Sequence, residues 1–408
     1  MHRFFFLILL ILFQFIFTGC ARINSGKETH PVKFSDWDTS FTVDHAVFPD
    51  TTIFTRSIVS KGNNSRLWRF LNKISSGTTV RIGFIGGSVT GGMGASSQLN
   101  DYPSLLCSFI GKIYPGCQIE QINASVGGTG SRFACSRVAD DLLSKSPDFI
   151  IIEFAVNDDP LDSFGTTASM EGLVRQCLQN TDVPVIMLFY MNRTGDTANQ
   201  SFHERVGCQY SLPMISYCNV CWPLVQDGTI NLDSIYYDAI HPNDRGHLIC
   251  AYLLFSFVRQ VALKRAADPD ILIPTPLISD LYQHAGIMKT GDTSLSVAAL
   301  GGWTGTVREL SRLGFISSSP ADSLIIGSHT REVTIGYHVS KDHSARMAIF
   351  LDNSVIDTVS NYFADDWGGG KMNLKRVFVD LGGSQNHKLT LITLDNDLFT
   401  IDYLLYAK

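Results

Sequence analysis

The chain has 408 residues, 45% of them hydrophobic and 17% charged, with 38 acidic and 32 basic side chains and a net charge of −6. So much apolar material, over a length worth two or three domains of roughly 150 residues, excludes intrinsic disorder and small disulfide scaffolds. No Lys/Arg-dense run offers the basic face that displaces phosphate counterions, so nucleic acid is not an expected partner.

Met1, His2 and Arg3 form a short basic start, and Phe4 to Phe17 is apolar apart from Gln14. That run is shorter than the about 20 residues a transmembrane helix needs. A basic start, a short apolar core and small residues after it describe an export signal. Thr18, Gly19 and Cys20 resemble the lipobox of bacterial lipoproteins, with Phe17 where an aliphatic residue is usual. The resemblance implies that residues 1–20 are a lipoprotein signal peptide and that Cys20 is acylated. The protein would then be exported and held at a membrane on its periplasmic or cell-surface side, each buried acyl methylene contributing about 0.8 kcal/mol. A plain secretory signal with a coincidental cysteine is the alternative. Residues 21–77 are expected to pack on the domain that follows, with Leu67 to Ile74 as one helix.

From Thr78 to Arg265 short β-branched runs alternate with amphipathic helices. Val80 to Ile85, Gln118 to Ile122, Phe149 to Val156, Val183 to Tyr190 and Pro213 to Ser216 read as strands. The middle ones are apolar on both faces, which predicts a parallel sheet covered on both sides. Cys135, Val138, Ala139, Leu142 and Leu143 fall at helical spacing, and Asn243 is placed to cap a closing helix through Leu248, Tyr252, Phe255 and Val258. The expected fold is a doubly wound, flavodoxin-like α/β domain over 78–265 with a five-stranded parallel sheet. Pro269, Pro274 and Pro276 mark 266–276 as a linker. Beyond it, over 277–408, alternation at Val333, Ile335, Tyr337 and Val339 and at Leu389 and Leu391 predicts a jelly-roll-like antiparallel β-sandwich. Further strands are expected at Met347 to Leu351, Val377 to Leu381 and Phe399 to Tyr406, with turns at Asp352-Asn353 and Gly382-Gly383-Ser384.

Glycines gather at the carboxyl ends of two predicted strands, in Gly86-Gly87-Ser88-Val89-Thr90-Gly91-Gly92 and in Asn123-Ala124-Ser125-Val126-Gly127-Gly128-Thr129-Gly130. Ligands of open α/β sheets bind at that edge. A phosphate cradle fails, because no Lys-Ser/Thr follows and neither loop has dinucleotide spacing. The first loop instead exposes a serine on a tight turn, and a serine nucleophile needs a base oriented by a third group. Asp238-Ala239-Ile240-His241-Pro242 supplies such a pair, and Asn157, ending the third strand in Glu153-Phe154-Ala155-Val156-Asn157-Asp158, can donate to an oxyanion. Each signal alone has a plainer reading as a turn, a cap or a surface pair.

Together and in order, these blocks resemble the SGNH hydrolases, also called GDSL esterases, over residues 78–262. Ser88 stands in the first block, with Gly87 where many members have aspartate; Gly128 is in the second, Asn157 in the third, and Asp238 with His241 in the last. The resemblance implies acyl transfer to water. Ser88 would be nucleophile, His241 base and Asp238 its orienter, with an oxyanion hole from the Ser88 and Gly128 amides and the Asn157 side chain, without cofactor or metal. Pairing with a carboxyl-terminal sandwich resembles bacterial carbohydrate esterases that remove acetyl groups, so an acylated carbohydrate is the expected substrate. A lipase, thioesterase or acyltransferase would use the same residues, and a non-catalytic glycan-binding lipoprotein is the rival from another class.

Cys218 and Cys221 form the one Cys-x-x-Cys, with only Cys208 and His203 nearby, so buried thiols or a local disulfide are preferred to zinc. Asp158 and Asp159 read as a solvated loop, and Arg132 as a substrate contact or a solvent-facing helix position. Trp303 and Trp367 read as packing rather than a sugar platform, and His247 as structural.

Overall fold

The computed structural model describes residues 52–179, 182–195, 199–264, 266–364 and 370–408. The segment expected to be an export signal, with Cys20, the residues up to Thr51 and Trp367 lie outside the described residues. The chain begins with α1 (Thr52–Arg56), β1 (Ile58–Ser60) and α2 (Ser65–Ser75), then alternates β2 (Val80–Gly86), α3 (Tyr102–Ile113), β3 (Ile119–Asn123), α4 (Ser131–Asp141), β4 (Phe149–Glu153), α5 (Ser163–Leu178), β5 (Val185–Phe189), α6 (Gln200–Gln209), β6 (Met214–Ser216), α7 (Cys218–Gln226) and α8 (Asp244–Lys264). Strands β3, β2, β4, β5 and β6 lie side by side in that order, all parallel. The order reverses between β2 and β4, so a crevice opens at their carboxyl ends. β1, which the sequence pattern did not disclose, adds antiparallel to β6 with Ile58 opposite Ile215, making six strands.

The double-sided apolar runs have the expected cause. On β4, Phe149 and Ile151 join the core beneath α2, α3 and α8, while Ile150 and Ile152 join the core beneath α4, α5 and α6. Helix starts follow capping chemistry. Asp101 accepts from the Ser104 N–H at 2.7 Å, Asp162 from Gly165 at 2.9 Å, and Asn243 from Arg245 and Gly246 at 3.0 and 3.1 Å. α4 ends at Asp141, before Leu142, and Ala139 faces solvent, while Phe133 to Val138 are all buried, so the buried face is wider than the predicted stripe and does not include Ala139. α8 is long and apolar enough to cross a membrane, yet two-thirds buried, as the central core helix of this domain.

The second domain holds β7 (Ala285–Ile287), β8 (Leu295–Ala299), β9 (Thr304–Val307), β10 (Leu313–Ser317), β11 (Ser323–Thr330), β12 (Glu332–Val339), β13 (Arg346–Leu351), β14 (Ser354–Ser360), β15 (Lys371–Val379), β16 (Gln385–Thr393) and β17 (Phe399–Ala407). One sheet runs β15-β12-β17-β10-β9 with β7 on β17, the other β14-β13-β16-β11-β8. One core joins them: Val333, Ile335 and Ile401 from the first, Leu324, Met347 and Leu389 from the second. Trp303 belongs to this core, edge-on to Phe399. Asp352 and Asn353 take φ of 49° and 72°, the left-handed pair that a tight β13–β14 hairpin requires.

β12 is buried on both faces because its outer face meets the α/β domain. Arg132 on α4 pairs with Glu332 and donates to Thr334 Oγ1 at 2.6 Å, and Tyr282 also donates to Glu332. Arg132 therefore holds the sandwich, rather than facing solvent or substrate. Arg376 on β15 reaches Asp162 at 2.6 Å, and Phe133 packs with Met372, Leu374 and Tyr403. The linker is pinned too. Asn63 donates to the Pro269 carbonyl at 2.8 Å, Arg175 donates to that of Pro274 at 2.9 Å, and the buried Glu171 accepts from the N–H groups of Leu277, Ile278 and Ser279.

Candidate active site

The site is built at the crevice between β2 and β4. β2 ends in Gly86-Gly87, where side chains would not fit: a Cβ on Gly86 would lie 2.0 Å from Thr90 Oγ1, and one on Gly87 2.3 Å from Asn157 Oδ1. The chain then turns through Ser88, whose carbonyl accepts from the Met93 N–H at 3.0 Å. The His241 segment is the loop closed by the bridge between Tyr236 and Pro242, and Tyr237 N–H donates to the His241 carbonyl at 2.9 Å. These two loops meet. Ser88 Oγ lies 2.8 Å from His241 Nε2, and His241 Nδ1 lies 2.7 Å from Asp238 Oδ2. Asp238 Oδ1 accepts from the N–H groups of His241 and Ile240 at 2.7 and 2.8 Å, which places the three-residue spacing on one side of the turn. Partial burial would raise the Asp238 pKa, but the His241 and Ile240 bonds outweigh it and hold the carboxylate below its ordinary value.

A second set of bonds locks the loops together. Asp244, opening α8, accepts from the Ser96 N–H and hydroxyl at 2.7 and 2.6 Å and from Asn100 at 3.0 Å. His247, one turn on, accepts from the Tyr102 N–H at Nδ1 and donates from Nε2 to the Met93 carbonyl at 3.1 Å. That tautomer is neutral, and burial pushes the His247 pKa down to about 4. The structural reading of His247 holds, and its partner is the loop that follows Ser88.

The other two edge loops lie alongside. A Cβ on Gly127 would touch Ser88 Cβ at 3.6 Å, so this loop passes over the serine. Gly128 takes φ +68° with open space around it, so glycine serves here for its left-handed backbone rather than to avoid crowding. Asn123 ties the loop to the Ser88 turn, donating to the Thr90 carbonyl at 2.8 Å. Asn157 closes on Gly87. Asp158 is not in a solvated loop: it is buried, accepts from Ser131 N–H at 2.6 Å and lies 2.8 Å from His203 Nε2. One carboxylate thus joins the start of α4 to the loop after β4, a role visible only once α6 brings His203 alongside. Asp159 is exposed.

Glu153 is the residue that the strand pattern concealed. It ends β4 opposite Gly86, is fully buried, and accepts from Ala155 N–H at 3.1 Å through Oε1 while Oε2 has no partner among the described residues. Burial raises its pKa from the ordinary carboxyl range to about 8. A carboxyl raised in the fold contributes stability below its unfolded pKa, and that contribution is lost as pH climbs toward 8. Glu153→Gln cannot ionise, so the stability difference, variant minus wild type, should grow by up to about 1.4 kcal/mol per pH unit between roughly pH 4 and 8. Urea unfolding at pH 5 and 8 measures it; a difference constant with pH would contradict the buried neutral acid.

All eight described cysteines are free thiols, Cys218 and Cys221 included, and no His/Cys/Asp/Glu cluster suited to a metal occurs among the described residues.

A serine on a tight turn, an Asp-x-x-His pair and an asparagine, all at the switch point of a doubly wound sheet, define an SGNH-type hydrolase fold. Residues 84–249 match the profile of the GDSL-like lipase/acylhydrolase family. The chain is also similar to a two-domain esterase (CEX) active on acetylated mannans, with 26% identity and a TM-score of 0.77, over 87% of this chain and 98% of that one. The acetylxylan esterase Axe2 from Geobacillus stearothermophilus is 17% identical over 44% of this chain and 94% of its own, with a TM-score of 0.36. No curated protein matches the sequence. The α/β domain belongs to the SGNH/GDSL hydrolase family, and the chain is a carboxylic ester hydrolase.

Proposed function

We propose that the protein is a serine esterase that removes O-acetyl groups from polysaccharide chains. The supporting observation is the continuous relay from Ser88 Oγ through His241 to Asp238, with contacts of 2.8 and 2.7 Å. In this reading Ser88 Oγ attacks the acetyl carbonyl carbon as His241 Nε2 takes its proton. The N–H groups of Ser88 and Gly128 and the Asn157 amide hold the oxyanion. The bond to the sugar oxygen breaks, His241 returns the proton to it, and the acetyl group stays on Ser88. Water, deprotonated by His241, then releases acetate. Asp238 keeps the imidazole oriented and supports its positive charge.

The likeness of both domains together to an esterase active on acetylated mannans supports a carbohydrate as the alcohol. Acetate release from acetylated manno- and xylo-oligosaccharides, beside nitrophenyl esters of two and eight or more carbons, tests it. Turnover of acetylated oligosaccharides above the long-chain ester supports the reading; preference for the long chain overturns it.

Gly87 carries a further expectation. Alanine there would place its Cβ against the Asn157 side chain and displace it, which costs the oxyanion a donor, worth about 10²–10³ in kcat. Gly87→Ala should lose that much kcat with a nearly unchanged Tm, read by steady-state kinetics and thermal melting. Activity within a few-fold of wild type would remove Asn157 from the hole. Export and acylation of Cys20 complete the proposal, supported by the leader sequence alone and tested by the mass of the mature amino terminus.

A further inference from the structure

Beside the relay lies an open cleft of about 640 Å³, lined by Met93, Gly94, Ala95, Ser96, Tyr237, Asn243, Asp244 and Arg245. The volume falls within the roughly 300–1,000 Å³ of small-molecule sites. Two of its walls are large apolar side chains left in water, Tyr237 at 69% and Met93 at 53% exposure. Its floor adjoins the base: a Cβ on Gly94 would lie 2.2 Å from the Pro242 carbonyl oxygen and 3.2 Å from His241 Cβ. Its far side is polar, with the Asp244 carboxylate held in place by Ser96 and Asn100.

Chemistry fixes which half of an ester belongs there. His241 Nε2 must return its proton to the departing alcohol oxygen, so that alcohol leaves within hydrogen-bond reach of the imidazole. The carbonyl oxygen points instead toward the Gly128 and Asn157 loops that hold the oxyanion. An alcohol on the His241 side extends into this cleft. An aromatic face and a thioether beside a fixed carboxylate suit a sugar, whose ring presents a C–H face to the aromatic and hydroxyls to the acid.

Resting on the acetylesterase reading above, we propose that this cleft is the sugar subsite: the hexopyranose that carries the ester stacks on Tyr237 against Met93 and donates hydroxyls toward Asp244. Tyr237 and Met93 are then specificity-determining residues that an ester with a small or flat alcohol uses little. The Tyr237 backbone N–H, not its ring, bonds the His241 carbonyl, so a ring exchange need not disturb the relay.

The test compares wild type, Tyr237→Ala and Tyr237→Phe on an acetylated mannotetraose and on nitrophenyl acetate. For Tyr237→Ala, kcat/KM on the oligosaccharide should fall at least tenfold relative to nitrophenyl acetate, through KM, while Tyr237→Phe stays within about threefold of wild type. A tenfold change corresponds to about 1.4 kcal/mol. An unchanged preference in Tyr237→Ala overturns the subsite, and so does an equal loss on both substrates that phenylalanine does not rescue. Wild type that cleaves nitrophenyl acetate but no acetylated oligosaccharide overturns the subsite and leaves the esterase standing. Wild type that cleaves neither overturns the hydrolase reading, and the subsite with it.

Discussion

Ser88→Ala should remove ester hydrolysis by about 10⁴-fold or more while leaving the fold unchanged. The hydroxyl supplies the only protein atom that bonds the acyl carbon in the proposed reaction, and the oxyanion donors without a nucleophile retain a small residual rate. Nothing else depends on it, since the turn is held by backbone bonds from Gly91 to Gly87 and from Met93 to Ser88 at 3.0 Å each. The expected pattern is a near-zero kcat on nitrophenyl acetate beside wild-type circular dichroism and Tm. Retained turnover in the folded variant would remove Ser88 from the mechanism.

Asp238→Asn should cost about 10⁴ in kcat by a different route. Its Oδ1 accepts from two backbone N–H groups, and an asparagine oxygen can keep both bonds. The amide nitrogen would then face His241 Nδ1, where only an acceptor suits a protonated Nδ1. The ring would take the other tautomer, with its proton on Nε2 pointing at Ser88, and could not accept the serine proton. Because the backbone bonds survive, Tm should change little, and kcat should fall far more than KM rises. Imidazole-proton NMR separates this from simple unfolding: wild type should show a proton on Nδ1, the variant one on Nε2.

The parts of this molecule that were legible in its sequence are those governed by local chemistry. Phe149 to Ile152 read as a doubly buried strand because a parallel strand must be apolar on both faces. Asn243 read as a cap, and Asp238 with His241 as a pair, because each acts over three residues or fewer. What stayed hidden depends on partners far along the chain. Arg132 finds Glu332 two hundred residues away, and Asp158 is buried only because His203 and Ser131 converge on it. β1 is three residues long and gains its order by pairing with β6, so its own pattern carried no period. β8 and β9 are exposed edge strands, and Thr304–Val307 has no buried residue to mark it. Glu153 looked like one more member of an apolar strand; its burial without a counter-charge appears only when α3 and α8 close over that face.

The domain contact bears on function through the loops that it braces. Arg376 bonds Asp162, five residues beyond Asn157, and Arg132 lies four residues beyond Gly128. The segments that follow both loops assigned to the oxyanion are therefore held by the sandwich.

In the proposed reaction Ser88 is acetylated and deacetylated in each turnover. Rapid mixing with nitrophenyl acetate, acid quenching and peptide mass analysis test it directly. A burst of nitrophenol no larger than the enzyme concentration is expected, with one acetyl group on the peptide that contains Ser88, absent in Ser88→Ala. An acetyl group found on another residue, with Ser88 unmodified throughout steady-state turnover, would contradict it.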